Sequence, residues 1–387
     1  MRILILSGKL WPLPDNNSNL IGKLIPALRR EHELLLIAPA FGVKEPWTLP
    51  DEIFGIKVRW VTDEKRDWKR RLLYPAIAKL TDRGGYSDML STLVLLREIR
   101  ETYHFDAVVS TMEPFPSALA ASRMPGCKKI LYIMDPPGCT CGNAETPLRT
   151  RMLPRILAKQ DAILTTPFIR AALCEHGYGK YDGKISSVGF PMVAPQKAGA
   201  SSLIPRENGK INLLFCGWLY SDIRSPRYFL DIVSRLDERF CVYFMGNECD
   251  RLRERFDFST RVQVVTFPQQ PYQEALDAMA AADILINIGN SVPVHMPSKT
   301  LEYVNSGKPM VNFYKFTDCP TLYYTKRYPL CLNLFEGDAD VDAAAEKFLR
   351  FCEEAVGRTA DRAYIEKEYS DCTPGYIAQK ILDALGE

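Results

Sequence analysis

The stretch Met296-Pro297-Ser298-Lys299-Thr300-Leu301-Glu302-Tyr303, followed by Ser306-Gly307-Lys308-Pro309, carries the most readable chemistry in the chain. The pattern predicts a short helix over 298–305 with Ser298 as its N-cap. The backbone N–H groups of Lys299, Thr300 and Leu301 are then expected to point outwards. A helix N-terminus carries about half a positive charge, which makes it a ready phosphate site. Lys299 adds a full charge. Glu302, one turn in, could accept two hydrogen bonds from a ribose diol. A plain capped helix, with Glu302 set favourably against its dipole, is the other reading of the same residues.

Other strand ends supply further candidates. Gly246 opens Gly246-Asn247-Glu248 after an apolar run, where a glycine lets a backbone approach a ligand closely. Phe267-Pro268-Gln269-Gln270 is similarly placed, and a plain loop is the alternative for each. Ser7-Gly8-Lys9 ends the opening run, but the G-x-G-x-x-G dinucleotide fingerprint is absent. Glu113 and Asp135 are strand-end carboxylates. None of the four histidines sits in a Ser-His-Asp or H-E-x-x-H setting. No two of the eleven cysteines have C-x-x-C spacing, so free thiols in a reducing compartment are expected and no metal site is.

The elements that must position these residues follow from the apolar runs. Continuous runs at 3–6, 34–38, 107–110, 130–134 and 162–164 read as strands buried on both faces. Helical spacing fills 20–30 and 90–102 between them. The pattern restarts with strands at 211–216, 241–245, 262–267, 283–288 and 310–314. Helices are expected at 226–236, 272–282, 298–305, 343–356 and 376–385. This is βαβ logic, giving parallel sheets. The expected class is α/β, with two doubly wound, Rossmann-like domains facing a cleft at the carboxyl ends of their strands. Residues 1–193 form the first expected domain, 194–209 a Pro-, Gly- and Ser-rich linker, and 210–374 the second domain. Residues 375–387 make a final helix that returns to the first domain.

Composition bounds the function. The chain has 387 residues, 47% hydrophobic and 25% charged, with a net charge of +2. That is ordinary for a globular protein and gives no basis for bulk nucleic-acid binding. No apolar run reaches the roughly 18 residues of a membrane span, and the start reads as a first strand rather than a signal peptide. The one basic run is Lys65-Arg66-Asp67-Trp68-Lys69-Arg70-Arg71-Leu72-Leu73-Tyr74. It is either a solvated helix face or a peripheral contact with an anionic bilayer at the inner membrane face. A cytoplasmic location is expected in both cases.

Asn290 with Pro297-Ser298-Lys299-x-x-Glu302-Tyr303-x-x-x-Gly307-Lys308-Pro309 resembles the donor-site motif of GT-B glycosyltransferases, most closely the large retaining family 4. The resemblance spans essentially the whole chain. It implies transfer of a sugar from a UDP- or GDP-linked donor to a hydroxyl of a glycan or lipid-linked glycan, without metal or other cofactor. It implies that Glu302 binds the ribose and that Ser298, Lys299 and Thr300 lie near the diphosphate. The family's second Glu is replaced by Val294, with Asn290 and His295 beside it to take over its contacts. In the loop starting at Gly217 the family's Arg is replaced by Trp218, leaving Arg224 as the first candidate for the diphosphate clamp and Arg227 as the second. Such a clamp stabilises charge growing on the leaving phosphate. The Phe267 loop would line the base pocket. Gly8 would meet the phosphates from the first domain, where Asp135 would bind a sugar hydroxyl or act as base towards the acceptor. Two rival readings keep the fold: a sugar-nucleotide epimerase, and a noncatalytic nucleotide-sugar-binding partner in a glycan-assembly complex.

Overall fold

The computed structural model describes residues 1–8, 16–39, 49–61, 83–101, 104–136, 147–205, 209–219, 223–256, 258 and 260–386. The basic run at 65–74, Lys9, Cys139, Cys141 and residues 220–222 of the Arg224 loop lie outside them. Two units divide the chain: Met1–Pro191 with Asp371–Glu387, and Met192–Ser370.

The first unit is built on one sheet. Its elements are β1 (Arg2–Leu6), α1 (Asn16–Leu28), β2 (Glu33–Pro39), β3 (Glu52–Ile53), β4 (Ile56–Val61), α2 (Arg83–Glu101), β5 (Ala107–Thr111) and α3 (Phe115–Ser122). There follow β6 (Lys128–Ile133), α4 (Pro147–Ala158), β7 (Ala162–Thr165), α5 (Pro167–Leu173) and β8 (Ile185–Ser187). Strand order is β3-β4-β2-β1-β5-β6-β7-β8. All pairs are parallel except the β3–β4 hairpin, whose two-residue turn holds Phe54 at φ 50° and Gly55 at φ 69°. Positive φ at both central residues matches the right-handed strand twist. The apolar run of β1 is fully buried from Ile3 to Leu6, as a central strand covered on both faces must be.

The second unit repeats the logic. Its elements are β9 (Ile211–Cys216), α6 (Arg227–Val233), β10 (Phe240–Met245), α7 (Leu252–Arg255), β11 (Gln263–Phe267), α8 (Tyr272–Ala281) and β12 (Ile284–Ile288). Then come α9 (Lys299–Ser306), β13 (Met310–Tyr314), α10 (Pro320–Thr325), β14 (Cys331–Phe335), α11 (Val341–Ala355) and α12 (Arg362–Glu368). The order is β11-β10-β9-β12-β13-β14, all parallel. Phe229 of α6 anchors the core, with its ring 5.4 to 6.1 Å from Phe244, Phe313 and Phe348. The α/β class with two parallel-dominated sheets is therefore as the sequence pattern requires.

Four strands escape the apolar-run reading. β3 and β4 alternate polar and apolar residues, β8 has three residues, and β14 is only partly buried. The segment read as a linker is tied to the second unit. Gly199 N–H bonds the Asp277 carboxylate at 2.6 Å, and Gln273 Nε2 donates to Lys197 O at 3.1 Å. Asn305 exchanges two bonds of 3.0 Å with the Ala194 backbone. The last helix, α13 (Pro374–Leu385), is capped by Thr373 and belongs to the first unit, where it packs on α1 and buries Ile377, Ile381 and Leu385. No helix of the described residues is long and apolar enough to cross a membrane. The nine described cysteines are all free.

Gly246 shows how tightly the second unit's strand ends are packed. Its φ is 136°, and a Cβ there would lie 1.9 Å from Gly217 O. The close approach that the sequence suggested for a ligand is made by the protein's own backbone. Gly246→Ala is expected to cost about 3 kcal/mol or more, from backbone strain plus overpacking. Gly357→Ala, at φ 78° with nothing within 4 Å of an added Cβ, is expected to cost about 1 kcal/mol. Urea denaturation of both variants measures the difference.

Candidate functional site

In the second unit β9 and β12 are neighbours, with β10 and β11 on one side and β13 and β14 on the other. The strand order reverses between them, and ligands of doubly wound sheets bind at the carboxyl ends at such a point. The loops leaving β9 and β12 are joined there. Ser291 N–H donates to Ile223 O at 2.6 Å. Arg224 Nε and Nη2 both donate to Asn290 Oδ1, at 2.9 and 2.7 Å, and Nη1 donates to Trp218 O at 3.0 Å. Asn290 Nδ2 donates to His295 O at 3.0 Å and lies 3.0 Å from His295 Nδ1. Arg224 is 7% exposed and Asn290 2%.

Arg224 has a structural part here beside the clamp expected of it. Three of its five N–H donors are committed to the protein, and it fastens the two loops to each other. Its acceptors in these bonds are neutral oxygens, so the bonds orient the charge without cancelling it. Asn290 and His295 belong to the same tie. Val294, between them in the loop, has φ 68°, an outlier for a β-branched residue.

The head of α9 also differs from expectation. Ser298 has helical backbone angles, φ −58° and ψ −27°, and its side chain makes no capping bond. Thr300 N–H bonds Pro297 O at 3.1 Å, Leu301 N–H bonds Ser298 O at 3.2 Å, and Glu302 N–H reaches Ser298 O at 3.4 Å. A tight first turn therefore spends two of the three donors expected to face outwards. Thr300 is fully buried. Its hydroxyl bonds Asn287 Oδ1 at 3.3 Å rather than facing a ligand.

Asn287 belongs to a ladder that the sequence reading passed over. Asn287, Asn312 and Asn333 are in register on β12, β13 and β14. Asn287 Nδ2 donates to Asn312 Oδ1 at 2.7 Å, and Asn312 Nδ2 to Asn333 Oδ1 at 2.8 Å. One Asn at the same place in three apolar runs was the available signal. On the other side of α9, Tyr303 OH accepts from Cys216 N–H at 2.8 Å and donates to Cys216 O at 3.1 Å. Burial pushes the Cys216 thiol up, with Lys299 opposing and Glu302 adding, so it is no reactive thiolate.

Two residues of α9 remain for chemistry. Lys299 Nζ is ion-paired with Glu302 Oε2, the side chains being 25% and 2% exposed. Burial works against the Lys299 ammonium, but Cys216 and Glu302 act the other way and hold its pKa above the ordinary lysine range. Lys299 Nζ lies 6.0 Å from the Tyr272 ring centroid. The Tyr272 pKa is raised by burial first and then by the Glu302 carboxylate. Gln196 Nε2 donates to the Tyr272 hydroxyl at 3.2 Å. Tyr272 and Gln196 are site residues that sequence reasoning missed.

The other candidates stand apart. The Phe267 ring stacks parallel on Tyr243, with centroids 6.5 Å apart, and Phe267 O accepts from Gly246 N–H at 3.2 Å. In the first unit, Gly8 is buried past the end of β1 and Asp135 is half-buried past β6, with β5 between those strands. Glu113 pairs with Arg149 at 3.1 Å. Among the described residues no group of three His, Cys, Asp or Glu side chains could hold a metal ion.

No protein-family model and no curated protein matches the sequence. Solved structures match over the full length. The lipopolysaccharide outer core galactosyltransferase WaaB, apo form, aligns with TM-score 0.62 and 13% identity over 100% of this chain and 99% of that one. HepE of Anabaena, in complex with UDP and glucose, gives 0.66 and 14% over the same shares, 100% and 99%. An E. coli structure titled as trehalose-6-phosphate, bound with UDP-2-fluoro glucose, gives 0.65 and 12% over 100% and 99%. The fold is GT-B. At these identities the likeness is one of fold, and the family 4 resemblance rests on the motif.

Tyr303→Phe leaves the Cys216 N–H and C=O without their hydroxyl partner. A loss of about 1–2 kcal/mol is expected, with faster hydrogen exchange at the Cys216 amide as the local check. Val294→Gly relieves the left-handed backbone and is expected to stabilise by about 0.5–1 kcal/mol, read as a higher denaturation midpoint.

Proposed function

We propose that the protein is a glycosyltransferase that moves a sugar from a nucleoside-diphosphate donor to a hydroxyl of a glycan or lipid-linked glycan in cell-surface polysaccharide synthesis. The observation that carries this reading is the pairing of Lys299 with Glu302 at the head of α9, beside the Arg224–Asn290 tie at the switch point. A nucleoside diphosphate needs a hydroxyl acceptor for its ribose and cations for its phosphates, and these residues offer both. The full-length likeness to structures bound with UDP or UDP-2-fluoro glucose supports a UDP-linked donor.

The proposed reaction is a substitution at the anomeric carbon. An acceptor hydroxyl oxygen bonds to that carbon from the face that the diphosphate leaves, and the bond to the diphosphate oxygen breaks. The electron pair leaves with the diphosphate, where Lys299, Arg224 and the α9 N-terminus stabilise it. The acceptor proton goes to Asp135 as base. We propose retention at the anomeric carbon, as the family 4 resemblance implies, and no metal. The run at 65–74 remains a proposed contact with an anionic membrane at the cytoplasmic face.

Calorimetric titration with UDP and GDP tests the donor site. One nucleotide is expected to bind, with Glu302→Ala and Lys299→Ala each weakening it at least about tenfold. Equal affinity in wild type and both variants overturns the assignment.

A further inference from the structure

The α6 side of the second sheet carries charge that the donor reading leaves unused. Arg227 is the first residue of α6 and Arg255 the last of α7, and both are exposed. Both guanidiniums lean on one ring. The Arg227 Cζ lies 5.5 Å from the Phe256 centroid and the Arg255 Cζ 5.6 Å. Together these two distances bound the separation of the guanidinium carbons at about 11 Å. Phe256 is half-buried and packed against the core of the unit, so the platform is fixed.

Neighbouring arginines are spoken for. Arg251 pairs with Glu248 at 3.9 Å and Arg235 pairs with Asp342. Arg253, 5.3 Å from the Phe258 ring, gives Nη2 to Val264 O at 2.8 Å. Among the described residues neither Arg227 nor Arg255 has a carboxylate partner. A guanidinium over a ring touches it through its face, while its five N–H donors lie at its edge and stay available. Two such forks around one ring suit an anion. A carboxylate is satisfied by one guanidinium, whereas a phosphate or diphosphate has charge and oxygen atoms enough for two. Phe256 is set into the core and offers no apolar group to insert into a bilayer. That favours a soluble phosphate ester over a phospholipid headgroup. The place also differs from the donor's. α6 joins β9 to β10, whereas Lys299 and Glu302 head the helix that joins β12 to β13 on the other side of the switch point.

We infer that Arg227 and Arg255, held on Phe256, form a second anion site, which takes a phosphate or diphosphate group of a soluble ligand other than the donor nucleotide. Arg227 belongs to this site and not to the donor clamp. The site stands independently of the reading of Lys299 and Glu302.

The probe is inorganic pyrophosphate, titrated calorimetrically into the full-length protein with and without saturating UDP. Wild type is expected to bind it with UDP present. Arg227→Gln and Arg255→Gln are each expected to weaken it about tenfold, the loss of one charge-assisted contact. Arg350→Gln, which removes an exposed charge from α11, leaves it unchanged. Arg255→Gln is expected to bind UDP as wild type does, and thermal melts check that the variants fold. Loss of pyrophosphate binding by wild type under saturating UDP, or weaker UDP binding in Arg255→Gln, gives the arginines to the donor diphosphate and overturns the separate site. An equal effect of all three substitutions on pyrophosphate reduces it to net charge and overturns it too. So does binding to phosphatidylglycerol vesicles without binding to pyrophosphate. Where UDP fails to bind wild type, the donor reading falls alone, and the Arg255 dependence of pyrophosphate binding still decides the site.

Discussion

The bonds from Arg224 to Asn290 Oδ1, at 2.9 and 2.7 Å, join loops 66 residues apart in the chain. At the point where strand order reverses, the flanking helices diverge and no ladder continues past the strand ends. Something else must hold the two loops in register, and a buried guanidinium does so with planar, directional bonds. The constraint then spreads. Asn290, with its oxygen taken by Arg224, turns its amide N–H groups to His295. That contact closes the turn over Val294 and holds its backbone in the left-handed region. Removing Arg224 would therefore disturb more than one charge.

Helix α9 shows how a site is made from few residues and many supports. Thr300 reaches the asparagine ladder, Tyr303 grips the end of β9, and Leu301 and Val304 are fully buried. These four fix the helix from two sides. Lys299 and Glu302, three residues apart, share the remaining face. Buried polar networks of this kind are worth having only when their members are partnered. Here Asn287, Asn312 and Asn333 partner one another in sequence across three strands.

Much of this was legible beforehand, for physical reasons. Central strands of a parallel sheet are apolar on both faces, so 3–6, 107–110, 211–216 and 283–288 announced themselves. The Lys299–Glu302 spacing announced one helix face. What stayed hidden depended on partners far away in sequence. Ser298 looked like a cap because serine before an apolar run usually is one, yet the chain had already entered a tight turn at Pro297. Gly246 looked like a ligand contact because a sequence cannot show that Gly217 comes so near. Tyr272 carried no motif, and its place beside Lys299 came only with the fold. The hairpin at 52–61 was missed because its residues alternate instead of forming a run.

The return of residues 371–387 to the first unit has a consequence for how the chain is made. Gly189 N–H bonds Asp371 O at 3.0 Å, and α13 lies on α1. The second unit is thus an insertion within the first. During synthesis the second unit has all its own residues before the first does. The apolar surface that α1 offers to Ile377, Ile381 and Leu385 must wait to be covered until those residues are made. Vectorial folding is reversed here: the part begun first is the part finished last.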